Sequence, residues 1–266
     1  PAADFFGPHR RLASIAEIAW LLGTAGLDGN ESVLVVGDDA TDRDFVAGML
    51  FIMGQRQGRI LADHVSRLVS SNKLPKYAGV ARSQVRETVY SASSRTRSVV
   101  FGLELLRMYS RGAEPRLLDG RSEKAFWGLD PNGRRRGGHL PGADHLPAVK
   151  LRAEVSRGDA IGPAPARGPI VVYGDTAHDG VAFFTLVSAG LGLDTKVYLP
   201  GWSEWATKPW PADAVSYPRQ FAAIAQSPTA TSNHSQSWIL PSLFAGCLLA
   251  GVAAAVGFFI GRKRPA

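Results

Sequence analysis

Ile170-Val171-Val172-Tyr173-Gly174-Asp175-Thr176-Ala177-His178-Asp179 is an apolar run that ends on a glycine and an acidic turn. β-Branched and aromatic residues bounded by turn residues read as a buried strand over Ile170 to Tyr173. A helix is expected from about Asp179 to Ala189, stopped by Gly190, with a further strand at Lys196 to Leu199. The same pattern occurs earlier in the chain. Val35-Val36-Gly37-Asp38-Asp39 ends a strand from Val33 to Val36 and precedes a helix from about Asp42 to Met53. A stop at Gly54 and a strand at Arg59 to Leu61 follow. Val36 and Val172, like Gly54 and Gly190, lie 136 residues apart. Strand, helix and strand in a compact unit imply a parallel sheet with right-handed crossovers. The expected fold class is therefore α/β, built as two parallel-sheet modules.

Residues outside the second copy make it more specific. Leu117-Leu118-Asp119-Gly120-Arg121-Ser122 opens it, and Phe126-Trp127-Gly128 follows. Beyond a basic loop come Gly138-His139-Leu140-Pro141-Gly142-Ala143 and Leu146-Pro147. Gly201-Trp202-Ser203-Glu204-Trp205 closes the set, after Pro200. These motifs resemble, in order, the "DxR" strand, the "GH-I/L-PGA…P" element and the "GGW-x-x-W" turn of rhodanese domains, with Pro200 replacing the first glycine of that turn. Residues 115–207 thus look like the second module of tandem thiosulfate or mercaptopyruvate sulfurtransferases. Residues 1–70 look like a truncated first module, starting with a helix from Leu12 to Leu22, because Leu117 shifted back by 136 falls before Pro1. Residues 71–114 read as a connector with a helix from Val99 to Tyr109.

The resemblance implies sulfur transfer through a cysteine persulfide, on a loop of backbone N–H groups at a helix N-terminus. The position matching that cysteine is Gly174. Its first-module counterpart is Asp38, or Gly37 if the alignment slips by one. Neither glycine nor aspartate forms a persulfide, so no catalytic residue is assigned. Gly174 is followed by the loop residues Asp175, Thr176, Ala177, His178 and Asp179; Asp175, His178 and Asp179 could suggest a metal or acid–base site, but three candidate ligands on one short turn is not a specific metal-site spacing. Asp175 and Asp179 are expected to cap the helix. Asp119 and Arg121 are expected to form a buried ion pair, Gly138, His139, Pro141 and Gly142 to build a turn, and Trp127, Trp202 and Trp205 to pack the core edge. His145 is expected at a surface or turn. No cofactor or metal is expected.

The one cysteine, Cys247, lies elsewhere, in the uncharged apolar run Trp238 to Ile260. These 23 residues would extend about 35 Å as a helix, against a hydrocarbon core of about 30 Å. Pro241 falls in the first turn, Trp238 suits an interface, and Arg262-Lys263-Arg264 closes the far end. Residues 238–260 are therefore expected to span a membrane, after a linker at 208–237 and before a basic tail at 261–266. The positive tail predicts a cytoplasmic C-terminus and an external, periplasmic soluble part, with a cytoplasmic tail-anchored arrangement as the alternative. Gly246, Ala250, Gly251, Ala255, Gly257 and Gly261 recur at four-residue spacing, which suits close helix packing or reflects the ordinary composition of membrane spans.

The formal charge of +7 and pI near 9.8 come largely from Arg134-Arg135-Arg136, the tail, and the stretch Arg82 to Arg97. No aromatic interleaving or nucleic-acid motif accompanies them, so acidic lipid or an acidic partner is expected, not nucleic acid. The reading that joins these observations is a non-catalytic rhodanese-like accessory subunit. It would be anchored in the bilayer and paired with other integral membrane proteins through its C-terminal helix. The alternatives are a membrane-tethered sulfurtransferase and an anion sensor using the former active-site loop.

Overall fold

Ile170–Tyr173 form strand β6, buried along its whole length. It is central to a parallel sheet ordered β3-β7-β6-β4-β5, with β3 at Val99–Val100, β4 at Arg116–Asp119, β5 at Asp144–His145 and β7 at Thr195–Tyr198. The computed structural model describes residues 1–71, 86–111, 115–129, 136–163 and 169–214. A parallel sheet must be covered on both faces, which is why β6 reads as an unbroken apolar run. On one face Leu118, Val172 and Val197 pack with α6 (Ala148–Arg157) and α7 (Ala177–Thr185), the latter continued by a π turn over Leu186–Gly190. On the other, Leu117, Val171, Tyr173 and Tyr198 pack with Leu105 of α4 (Gly102–Ser110) and with Trp202 and Trp205 of α8 (Gly201–Trp205). A short helix, α5 (Glu123–Phe126), follows β4.

The first module is smaller. Strands β1 (Ser32–Val35) and β2 (Gln57–Ile60) form a two-stranded parallel sheet. They are joined by α2 (Ala40–Ile52), preceded by α1 (Ile15–Thr24) and followed by α3 (Val65–Ser70). Ser14 and Glu17 start α1 with a reciprocal capping box.

The modules meet helix to helix, α2 on α7. Gly48 of α2 gives the close approach, since a Cβ there would collide with Val181 at 2.7 Å and with Thr185. Thr185 Oγ1 donates to the carbonyl of Asp44 at 2.8 Å. The buried Asp44 carboxylate receives Arg43 from its own helix (2.9 Å) and Arg152 from α6 (3.0 Å). Removing one partner from a buried ion pair strands charge in a low-dielectric interior, so this triad holds the modules in register. His178 Nε2 meets Asp42 Oδ1 at 2.8 Å, across 136 residues. At the 136-residue offset of the sequence repeat these two residues are equivalents, and counted from the helix caps Asp39 and Thr176 they are one position apart.

The strand–helix–strand order of both copies is present, with every boundary within two residues of that expected once the π turn continuing α7 is included. The helix expected over Val99 to Tyr109 is different. Val99 and Val100 form β3, paired with Val197 and Tyr198 of β7, and the helix starts at Gly102. Two β-branched residues fit a pleated surface better than a helix start. The expected connector therefore supplies an edge strand to the second sheet. Among the described residues no helix is long and apolar enough to cross a membrane. The expected span Trp238 to Ile260, its small residues, the linker beyond residue 214, the basic tail, residues 72–85 of the connector and Arg134-Arg135 lie outside the described residues.

Candidate functional site

Strand β6 delivers the chain from Tyr173 into Gly174-Asp175-Thr176 and then into α7. Thr176 is the N-cap: its hydroxyl accepts from Asp179 N, and the Asp179 carboxylate accepts from Thr176 N and Oγ1. This reciprocal box is the Thr-x-x-Asp form of a common helix start. The cap expected of Asp175 belongs instead to Thr176, because the helix begins one residue later than a cap at Asp175 would require. The carbonyls of Gly174 and Asp175 accept from Trp202 N (3.0 Å) and Ser203 N (2.8 Å), binding the turn to α8. Gly201, at φ +67, permits that approach: a Cβ there would lie 2.6 Å from Gly174 O.

Gly174 itself has no room for a side chain. A Cβ would stand 2.6 Å from Gly180 N and 2.7 Å from both the carbonyl carbon and Cβ of Asp179. Two of these three atoms are helix backbone, so relief requires moving the first turn of α7. The first-module turn is different. Asp38 is exposed, and its carboxylate accepts from Ser66 N at 3.1 Å. That hydrogen bond holds its pKa below the ordinary aspartate value, against a smaller opposing effect of desolvation. Asp39 caps α2, accepting from Thr41 N and Asp42 N, both at 2.8 Å.

His178 is held between carboxylates, with Nε2 on Asp42 and Nδ1 3.6 Å from Asp179. The hydrogen bond it donates to Asp179 raises its pKa, against an opposing contribution from burial, and the contact with Asp42 raises it further. Asp179 is lowered: desolvation pushes it up, but hydrogen bonds from His178 and Thr176 outweigh that. His178 thus contacts Asp179 within α7 and Asp42 on α2, and the contact with Asp42 ties the two helices together. A second cavity-lining acid, Asp175, lies close enough to Arg121 to favour its charge.

Behind the turn lies a polar core. Asp119, fully buried, accepts from Arg121 N, Nε and Nη2 at 2.6–3.1 Å and from Tyr173 OH at 2.6 Å. Arg121 Nη2 also donates to Gly138 O, and its guanidinium lies 4.7 Å from the Trp202 ring. Burial alone would lower the Arg121 pKa, but the Asp119 contacts prevail and raise it. Tyr173 is raised by burial and by Asp119. These groups brace β4, β6 and the Gly138 turn. Their hydrogen bonds are spent within the protein.

The remaining motif residues build that turn. Next to Gly138 (φ +106), His139 pairs with Asp213, and Gly142 N donates to the Asp213 carboxylate. His139 Nδ1 contacts Phe126 O at 2.9 Å and the ring stacks on Phe126. Pro141 O accepts from Tyr109 OH. Trp202 and Trp205 are buried, and Trp205 Nε1 donates to Pro211 O. Trp127 lies edge-on to Phe126. His145 is not at the surface as expected: it lies half-buried on β5, with Nε2 2.9 Å from Arg121 O and its ring stacked on Phe126. A cavity of about 230 Å³ lies beside Gly174, walled by Arg121, Asp175, Asp179 and Arg152 of α6. Arg152 contributes through its bridge to Asp44, a contact across 108 residues that no local pattern announces.

Residues 103–208 match the sequence profile of the rhodanese-like domain. Among solved structures, a probable thiosulfate sulfurtransferase shares 24% identity at a TM-score of 0.51, over 79% of this chain and 87% of that one. An EanB variant in complex with hercynine aligns at 14% identity and a TM-score of 0.60, over 81% of this chain and 58% of EanB. Another EanB variant, bearing a cysteine persulfide with ergothioneine, aligns at 16% identity and 0.59, over 81% of this chain and 59% of that one. At these identities the likeness establishes the fold alone, and this chain spans little more than half the length of EanB. No curated protein matches the chain. Residues 103–208 are thus a rhodanese-like domain of α/β fold with a parallel sheet.

Proposed function

We propose that this protein is a non-catalytic, rhodanese-like accessory subunit, anchored in a membrane by residues 238–260. The observation that carries this reading is the closed turn at Gly174. Sulfur transfer needs a thiolate presented by that turn. Here the residue has no side chain, the space for one is filled by Asp179 and Gly180, and the turn carbonyls are bonded to α8. The polar groups retained from the family's motifs serve packing, as the Asp119–Arg121–Tyr173 network illustrates.

The apolar run from Trp238 to Ile260 and the Arg262-Lys263-Arg264 tail support bilayer insertion with the tail in the cytoplasm. The small residues at four-residue spacing support a helix that packs against other integral membrane proteins. The protein would then contribute a docking domain to a membrane complex. The test is extraction in mild detergent followed by size analysis of the native protein. A complex larger than the protein alone, lost when Trp238 to Ala266 is deleted, is the expected result. Extraction always as a lone protein, or a complex indifferent to that deletion, contradicts it.

A further inference from the structure

A cleft of about 1100 Å³ opens between the two modules. Its floor is apolar and contains the buried side chains of Ile18, Met49 and Met53. Phe101 stands at its wall with more than half of its surface exposed. On the first-module side, the turn Gly7 to Leu12 carries two adjacent cations into the lining, Arg10 and Arg11. That turn is built under constraint. His9 (φ 59) and Arg10 (φ 57) are consecutive non-glycine residues in the left-handed region, a conformation disfavoured by their Cβ atoms. The Phe6–Leu12 bridge and the bond from Gly7 N to Arg11 O (2.8 Å) clamp it. Strained backbone of this kind persists where the surroundings hold it, and it concentrates at ligand sites.

The charges in the cleft do not cancel locally. Its acidic lining residues, Asp179 and Glu204, are committed to Thr176 and His178 and to Tyr198 OH respectively. Glu17, the acid that acts on Arg11, is held in the capping box with Ser14. The Arg10 guanidinium makes no hydrogen bond or ion pair among the described residues. Size then selects the ligand. Pockets of about 300–1,000 Å³ suit drug-sized organic molecules, and an inorganic anion would leave this apolar floor uncovered.

We infer that the inter-module cleft binds an organic anion with an aromatic or similarly flat apolar body. Its acid group would meet Arg10 and Arg11, and its body would lie on Met49 and Met53 against Phe101. Thioether and ring contacts favour an aromatic body over an alkyl one. Thr176 to Asp179, just beyond Gly174, also line this cleft, but the inference requires neither membrane attachment nor the absence of sulfur transfer.

The test is calorimetric titration of the full chain, in nanodiscs of zwitterionic lipid, with naphthalene-2-carboxylate. Empty nanodiscs serve as the blank, and neutral naphthalene-2-methanol and thiosulfate as comparators. Saturable binding of the carboxylate is expected, at least about tenfold tighter than either comparator. The double variant Arg10→Gln/Arg11→Gln should weaken it by about tenfold or more. Phe101→Ser, a change at an exposed helix N-cap, should weaken both naphthalene compounds together. Matching melting temperatures separate a lost contact from a lost fold. No binding of the carboxylate, equal binding of the neutral analogue or of thiosulfate, or a double variant that binds as tightly as the parent would each overturn the inference.

Discussion

The two modules enter their central helices from similar sequence by different means. In the second, Thr176 caps α7 and Asp179 returns the bond. In the first, Asp39 alone caps α2. Aligned on these caps, Gly37 and not Asp38 is the counterpart of Gly174. The two glycines then differ in one decisive respect. A Cβ at Gly37 would meet only ordinary contacts, the nearest being Arg43 Cβ at 3.4 Å, whereas at Gly174 the nearest is helix backbone at 2.6 Å. A side chain is therefore absent from Gly174 and has no room there, whereas at Gly37 it is absent but would fit.

The contact that makes the modules comparable is also the one whose loss should cost most. Asp44→Ala leaves Arg43 and Arg152 buried without their carboxylate, and urea unfolding should show a loss of about 3–5 kcal/mol. A loss below about 1 kcal/mol would mean that the modules are not held by this triad. The glycine comparison comes next. Gly174→Ala should cost about 1–3 kcal/mol through displaced backbone. Gly37→Ala should stay within about 0.5 kcal/mol. Equal costs would erase the distinction drawn between the two turns.

Smaller effects separate the caps. Thr176→Ala and Asp39→Ala should each cost about 1 kcal/mol in the same assay, with Thr176→Ser restoring most of the second-module loss. The smallest effect is a pH dependence. The raised pKa of His178 means that its contribution is complete below the unfolded histidine value of about 6.5. It is lost as pH climbs through the higher folded value. The lowered pKa of Asp179 acts oppositely: its contribution is present above about 3.9 and is lost as pH falls through the folded value. His178→Ala should flatten the alkaline limb of the stability profile and reduce the acid limb, because Asp179 loses its partner. An unchanged alkaline limb would place His178 outside the interface.

Much of the second module is legible because its signals are local. Ile170–Tyr173 is a strand by composition and burial, and Gly138 and Gly142 stand where positive φ is required. The two-residue strand β3 was hidden because Val99-Val100 runs directly into an amphipathic helix, and β5 because two residues make no pattern. The Thr176 cap is legible as a Thr-x-x-Asp box, with Asp175 beside it as a competing cap of equally suitable chemistry. The triad at Asp44 and the Arg10–Phe101 cleft could not be read, since they join residues that only the packing of α2 on α7 brings near. The 136-residue repeat came closest, for it pairs Asp42 with His178 as equivalents, and they touch.

The most direct measurement is thiosulfate-to-cyanide sulfur transfer by the purified full chain and by Cys247→Ser. With Gly174 closed and no other cysteine in the chain, neither protein should exceed the uncatalysed rate. Turnover that survives Cys247→Ser would contradict the non-catalytic reading outright, and turnover abolished by it would mean that Cys247 acts as a nucleophile outside the bilayer.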